Sequence, residues 1–235
     1  MIQLLVNADD FGFSRGVNYG IVDAHRFGIV NSTTMLVNMP GTEQAVELAK
    51  QYKTLRVGIH LTLTCGIAVS KNVPTLTTED GSFKMRKHLQ EDLTEKLTDI
   101  EKEWEAQIQR FYQMGLTPTH FDSHHHVHAQ PELLPVVRNL SKRFELPVRN
   151  VFGDQELDIN RLTDVFLSDF YNENVGPYYF DKLEEKMEDG VSVEVMCHPA
   201  YVDYFLNKNS SYSEKRIDEL NVLTTTKLPK GFQLV

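Results

Sequence analysis

Cysteine and tryptophan are scarce in this 235-residue chain: it has two cysteines, Cys65 and Cys197, and one tryptophan. A single disulfide is arithmetically possible. A scaffold stapled by disulfides is not, and two thiols in a chain of this size read as buried and reduced. Cations are also in deficit, 24 Lys and Arg against 33 Asp and Glu, for a formal net charge of −9. With no long basic run to neutralise phosphates, nucleic-acid binding is excluded as a general activity. No stretch approaches the ~18 consecutive apolar residues of a membrane-spanning helix. The opening MIQLLVNADDFG lacks a basic segment, and Asn7 and Asp9 interrupt its apolar run, so no signal peptide is expected. The expected location is the cytoplasm. Hydrophobic residues at 41% and charged residues at 24% are ordinary for a folded chain, which excludes disorder and collagen-like repeats.

What is present is an alternation. Short apolar runs at residues 3–8, 32–37, 55–60, 118–122, 146–151 and 191–197 are mostly rich in β-branched residues and have the length of strands. Helical patterns lie between them. One spans residues 17–27, opening after Ser14 as N-cap and stopped by Gly28. Others span 42–52, 131–144 and 178–189. The longest, 88–114, carries Leu89, Leu93, Leu97, Ile100, Trp104, Ile108 and Phe111 at steps of three and four. Residues 71–86 and 153–176 break the rhythm and read as loops. Strands separated by helices imply parallel pairing, hence an α/β fold. At this length the expectation is a single domain over residues 1–235, a TIM-barrel-like (β/α) barrel with eight strands or, one short, seven.

Four of the runs finish in chemically capable groups. The first ends in Asp9-Asp10, the third in His60, and a late one in His198. The fourth runs into Asp122, His124, His125, His126 and His128, so four of the nine histidines fall within five residues. In β/α barrels the strand C-termini meet at one mouth, so these groups are expected to share a site. Adjacent carboxylates can split roles, one binding a cation and the other taking a proton from water. Taken alone, Asp9-Asp10 fits a turn and helix cap equally well. A kinase reading of Asp10-Phe11-Gly12 fails because no glycine-rich loop precedes it. His124, His126 and His128 share a face on a strand, whereas His124 and His128 do so on a helical turn, and both geometries stay open. Not all four can be ligands. A lone His60 in an apolar run is as often a core residue. His25, His88 and His120 receive no role, and Cys197 has no base partner to make it a nucleophile. Phe11, Phe13, Tyr201 and Tyr204 follow strand ends and could stack on a sugar ring or simply pack the loops. Arg149 could steer Asp9, bind substrate or form a structural ion pair.

Five motifs stand in order along the chain: Asn7-Ala-Asp-Asp-Phe-Gly12, Ser32-Thr-Thr34 with Asn38, Gly58-Ile-His-Leu-Thr-Leu-Thr64, Pro118-Thr-His-Phe-Asp-Ser-His-His-His-Val-His128, and Glu194-Val-Met-Cys-His-Pro199. Together they resemble the YdjC family of carbohydrate deacetylases, and within it the chitooligosaccharide deacetylases of chitobiose-utilisation operons. The segment between His60 and the long helix departs from that pattern, and the C-terminus is short. The resemblance implies a TIM-barrel-like fold and one divalent metal ion per chain, Mg or Zn. It implies Asp10, His60 and His124 as the ligands, with His125 as the alternative to His124. It also implies Asp9 as base, His198 as acid, N-acetylated amino sugars such as diacetylchitobiose as substrates, and a homodimer. Phe11, Arg149, Tyr201, His126 and His128 are the candidates for holding substrate. Two other readings are a metal hydrolase acting on a different amide or on a phosphoester, and a sugar-binding protein without turnover.

Overall fold

The computed structural model describes residues 1–84, 93–153, 155 and 157–235. Its centre is a parallel sheet of seven strands: β1 (Ile2–Phe11), β2 (Ser32–Met35), β3 (Arg56–Leu61), β4 (Phe121–Ser123), β5 (Val165–Leu167), β6 (Ser192–Cys197) and β7 (Phe232–Leu234). The order is β4-β3-β2-β1-β6-β5, and β7 pairs with the start of β1. Single parallel bridges from Phe121 to Val148 and from Val148 to Arg161 carry the pairing from β4 towards β5. The barrel expectation therefore holds, with seven strands. The expected strand at 146–151 does not form; only Val148 bridges there. Pro147 has no N–H to donate to a ladder, so the segment is a poor strand interior.

Seven helices connect the described strands: α1 (Arg15–Phe27), α2 (Thr42–Gln51), α3 (Leu97–Gln113), α4 (Leu134–Phe144), α5 (Tyr179–Glu184), α6 (Tyr204–Asn209) and α7 (Lys215–Thr225). Ser14 caps α1 as expected, its side chain accepting from the Val17 N–H. The helix expected to begin at His88 is helical from Leu97, preceded by a turn at Thr94–Lys96; residues 88–92, including Leu89, lie outside the described residues. The apolar stripe buries Ile100, Trp104, Ile108 and Phe111. The expected 178–189 helix shortens to α5. No helix among the described residues is long and apolar enough to cross a membrane.

β1 is buried on both faces over nearly its whole length, as a strand covered by helices must be. Leu4, Val6 and Ala8 join the apolar cluster, together with Val17 and Ile21 of α1. Each such buried Leu, Val or Ile side chain contributes roughly 1.5–3 kcal/mol. By the two-residue period Asn7 and Asp9 share the opposite face. There Asn7 Nδ2 donates to Asp9 Oδ1 at 2.9 Å and to Thr34 Oγ1 at 3.3 Å. Polar residues thus fill the barrel near its C-terminal mouth. After β3, residues 64–84 make an excursion closed by antiparallel bridges Ile67–Ser82 and Thr77–Phe83.

Candidate active site

A cavity of about 560 Å³ opens at the strand C-termini, lined by Asp9, Asp10, His60, His124, His126 and His198 among others. The strand-end convergence expected from the sequence is therefore present.

Asp10 departs from regular strand geometry, with φ at 72° in the left-handed region. The Phe13 N–H closes a turn onto its carbonyl at 2.9 Å. Gly12 makes that turn possible: its φ is +92°, and a Cβ there would stand 2.6 Å from the Leu36 carbonyl oxygen. The distortion turns the Asp10 carboxylate into the pocket. Its Oδ2 accepts from Arg216 Nη2 at 2.7 Å, while Oδ1 lies 3.0 Å from His124 Nδ1 and 3.5 Å from His60 Nε2. Burial alone would raise the Asp10 carboxyl; the charges of His124 and Arg216 instead hold it well below the usual range.

His60 is fixed from behind. Its Nδ1 lies 2.6 Å from Asp122 Oδ1, which leaves Nε2 facing Asp10. Burial opposes the imidazolium, but the charges of Asp122 and Asp9 overcome it and raise the His60 pKa to about 10. Asp9 is gripped by Arg149, whose Nη1 donates to Oδ2 at 2.8 Å and Nη2 to Oδ1 at 2.6 Å. Burial would raise this carboxyl too, yet the guanidinium drives it far below the ordinary value. The same guanidinium meets Asp122 at 2.7 Å and Glu194 at 2.8 Å. Glu194, pushed up first by burial, stays near a pKa of about 7.

The histidine cluster follows neither geometry considered from sequence. His125 and His126 both take left-handed backbone, φ 58° and 51°, which turns the chain after β4. His124 is thereby aimed at Asp10. His125 packs on His124, 4.0 Å between centroids, and its Nδ1 meets Thr64 Oγ1 at 2.9 Å. His126 lines the cavity. His128 turns inward, fully buried, with Nδ1 2.6 Å from Ser123 Oγ.

His198 completes the mouth. Its backbone N–H donates to Glu219, and its ring sits edge-on to Tyr171 and Tyr212, 5.8 Å from each. Burial, then the charge of Arg216, lowers its pKa to about 3, so it rests as neutral imidazole. Among the described residues its Nδ1 finds no hydrogen-bond partner, and it lies 3.9 Å from Glu219 Oε1.

Other sequence candidates lie elsewhere. Phe11 is fully buried in the core and offers no face to a ligand, whereas Phe13 lines the cavity. Arg149 is fully buried beneath Asp9, which places it as the partner of that carboxylate rather than at the substrate surface. His128, buried against Ser123, is likewise withdrawn from the cavity lining. Tyr201 is about half exposed, bonds Asp23 of α1 through its hydroxyl at 2.8 Å, and is not among the cavity-lining residues. Tyr204 is exposed as well. Sequence reasoning missed Arg216 and Glu219 of α7. Their signal was a charged pair on the apolar face that Leu220 and Leu223 define, since all four side chains are buried.

The donor set fits a divalent cation. Ligand atoms of Asp10, His60 and His124 all lie within 4.8 Å of one another. Among the described residues Asp10 Oδ1 is buried with no well-directed hydrogen bond, and two imidazole nitrogens converge on it. A second set, Asp9, His60 and Asp122, meets the same distance test. Its carboxylates are already committed to Arg149 and to His60 Nδ1, so it reads as the supporting layer of the first.

A parallel β/α barrel presenting carboxylate, two imidazoles and a clamped second carboxylate at its C-terminal mouth has the build of a hydrolytic enzyme. Comparison with known proteins narrows this. The chain is 47% identical over 240 residues to a carbohydrate deacetylase of Halalkalibacterium halodurans, covering 100% of each. It is 46% identical to a carbohydrate deacetylase of Geobacillus stearothermophilus, covering 98% of this chain and 95% of that one. Among solved structures, an Enterococcus faecalis protein described as a putative cellobiose-phosphate cleavage protein superposes with a TM-score of 0.89 at 34% identity, over 99% of this chain and 96% of the other. A Streptomyces lividans family 4 carbohydrate esterase in complex with acetate shares the fold alone, with a TM-score of 0.51 at 11% identity over 99% and 91% of the chains. The sequence pattern of the YdjC-like proteins matches residues 3–233. The chain belongs to the YdjC-like protein family.

Proposed function

We propose that this chain is a metal-dependent carbohydrate deacetylase, a hydrolase of amide C–N bonds, acting on N-acetylated amino sugars or chitooligosaccharides such as diacetylchitobiose and releasing acetate. The full-length likeness to carbohydrate deacetylases supports the reaction class. The observation that carries the site assignment is the convergence of Asp10, His60 and His124 beside the Arg149-clamped Asp9.

Asp10, His60 and His124 would hold one divalent ion, Mg or Zn, which when bound supplies Lewis-acid polarisation of the acetyl carbonyl and acidifies water. Asp122, bonded to Nδ1, fixes the His60 ring with Nε2 facing Asp10, the nitrogen that would give up its proton to bind the ion. Asp9 takes the proton of the attacking water. Both of its oxygens are fixed by Arg149, so it is preoriented, and its charge is maintained at neutral pH. His198 is neutral in the resting site, so it first gains a proton, the one that Asp9 has taken from water, and then hands it to the departing amine nitrogen, which is too basic to leave as an anion. Glu219 anchors the His198 backbone at that position. Each positioned proton transfer contributes typically about 10²–10⁴-fold.

The test is acetate release from N,N′-diacetylchitobiose by the purified protein, before and after chelation and with metal restored. Release that chelation abolishes and metal restores supports the whole reading. Release untouched by chelation overturns the metal assignment, and absence of release overturns the substrate.

A further inference from the structure

The excursion after β3 encloses a second cavity of about 500 Å³. It shares Phe13, Thr64, Cys65 and Asn209 with the active-site cavity, so the two lie side by side at the mouth of the barrel. One wall comes from the excursion itself, with Ile67 58% exposed and Phe83 beside it. The facing wall is Phe205 of α6, whose ring meets Phe13 edge to face at 5.5 Å. Asn38 staples the turn at the junction, its Nδ2 donating to the carbonyls of Cys65 at 3.1 Å and Ile67 at 3.0 Å. Gly66 permits that approach: its φ is +75°, and a Cβ there would stand 2.8 Å from Asn38 Nδ2. Just beyond this cavity the excursion is anchored again, since the buried Glu103 of α3 accepts the Val69 and Ser70 N–H groups at 2.9 and 2.8 Å. None of the described residues lining this second cavity carries a charge.

We infer that this groove is a subsite for the second pyranose ring of a disaccharide or longer substrate, seated beside the N-acetylated ring that the active-site cavity would take. The inference rests on the deacetylase reading above. Aromatic and aliphatic walls fit the C–H faces of a pyranose, and amide and hydroxyl groups at the rim fit its ring hydroxyls. A groove without charge reads ring shape rather than an ionic substituent. Its anchored walls need no ordering when the ring enters, which favours affinity. A monosaccharide would leave the groove unused and forgo that binding energy.

The experiment compares acetate release from N,N′-diacetylchitobiose and from N-acetylglucosamine by the metal-loaded wild type and by Ile67→Ser and Phe205→Leu. The wild type is expected to favour the disaccharide in kcat/KM. Each variant is expected to lose several-fold to about tenfold on the disaccharide, through KM, with the monosaccharide unchanged. Because Ile67 is mostly exposed, its variant keeps the fold even if Phe205→Leu does not. Variants that match the wild type on the disaccharide, or that lose equally on both sugars, would overturn the subsite. If the wild type releases acetate from neither sugar, the deacetylase reading fails separately. Calorimetric titration of the disaccharide then decides the groove: weaker binding by Ile67→Ser supports it, and equal binding or none overturns it.

Discussion

Arg149 grips both oxygens of Asp9, Nη1 to Oδ2 at 2.8 Å and Nη2 to Oδ1 at 2.6 Å, from a position fully shielded from water. The same guanidinium contacts Asp122 and Glu194, so one cation offsets three buried carboxylates. Arg149→Met leaves that cluster uncompensated. A loss of about 3–5 kcal/mol in unfolding free energy is expected, the cost of stranding buried charge. Arg149→Lys keeps the charge but cannot make the forked contact, so it should recover part of the stability and little of the activity. Urea unfolding of both variants beside acetate-release rates checks this. Equal stability of wild type and Arg149→Met would refute it.

Asp9→Asn separates the proton acceptor from the metal site. The amide keeps the shape of the carboxylate but cannot take a proton from water. Turnover should fall by at least about 10²–10⁴-fold. Metal content should stay at one per chain, because the proposed ligands are Asp10, His60 and His124. Asp10→Ala should lose the metal itself. Elemental analysis of the two variants distinguishes the roles. Full activity in Asp9→Asn would move the base elsewhere.

Much of this site was legible because its residues sit at the ends of strongly patterned strands. Asp9, Asp10, His60 and His198 each close an apolar run, and barrel topology gathers such ends. The fold was legible for the same reason, since the strand–helix alternation fixes parallel pairing. What local pattern could not show is contact across the barrel. Nothing near His60 in sequence points to Asp122, 62 residues away, yet that contact sets the ring's orientation. Arg216 reaches Asp10 across 206 residues from α7, a helix with no motif around it. The histidine cluster was found, but its geometry was not. Two consecutive left-handed residues, His125 and His126, defeat any argument from strand or helix period.

Asp122→Asn tests the contact behind His60. The substituted amide can still bond to Nδ1 but no longer carries the charge that raises ligand basicity. Metal affinity should weaken by about 10–100-fold. Competition with a chelating dye reads this directly, without turnover. An unchanged affinity would mean that Asp122 serves only to neutralise Arg149.

Acid stability should be governed in part by histidines held neutral inside the barrel. His120 is fully buried against Gly58, where a Cβ would stand 2.6 Å from its Cε1. Burial lowers its pKa from 6.5 to about 4, and that of His128 from 6.5 to about 3. Between pH 6.5 and those values the unfolded chain binds protons that the folded chain refuses. Stability therefore falls as pH drops through this window, by about 1.4 kcal/mol per pH unit for each proton of difference. Below the folded pKa of each group no further loss comes from it. His120→Gln keeps a neutral polar side chain and removes one such proton. The slope of unfolding free energy against pH, measured by urea titration between about pH 6 and 4.5, should drop in this variant by about one proton's worth. An unchanged slope would mean that His120 already carries its proton in the folded protein, against the burial that the Gly58 contact imposes.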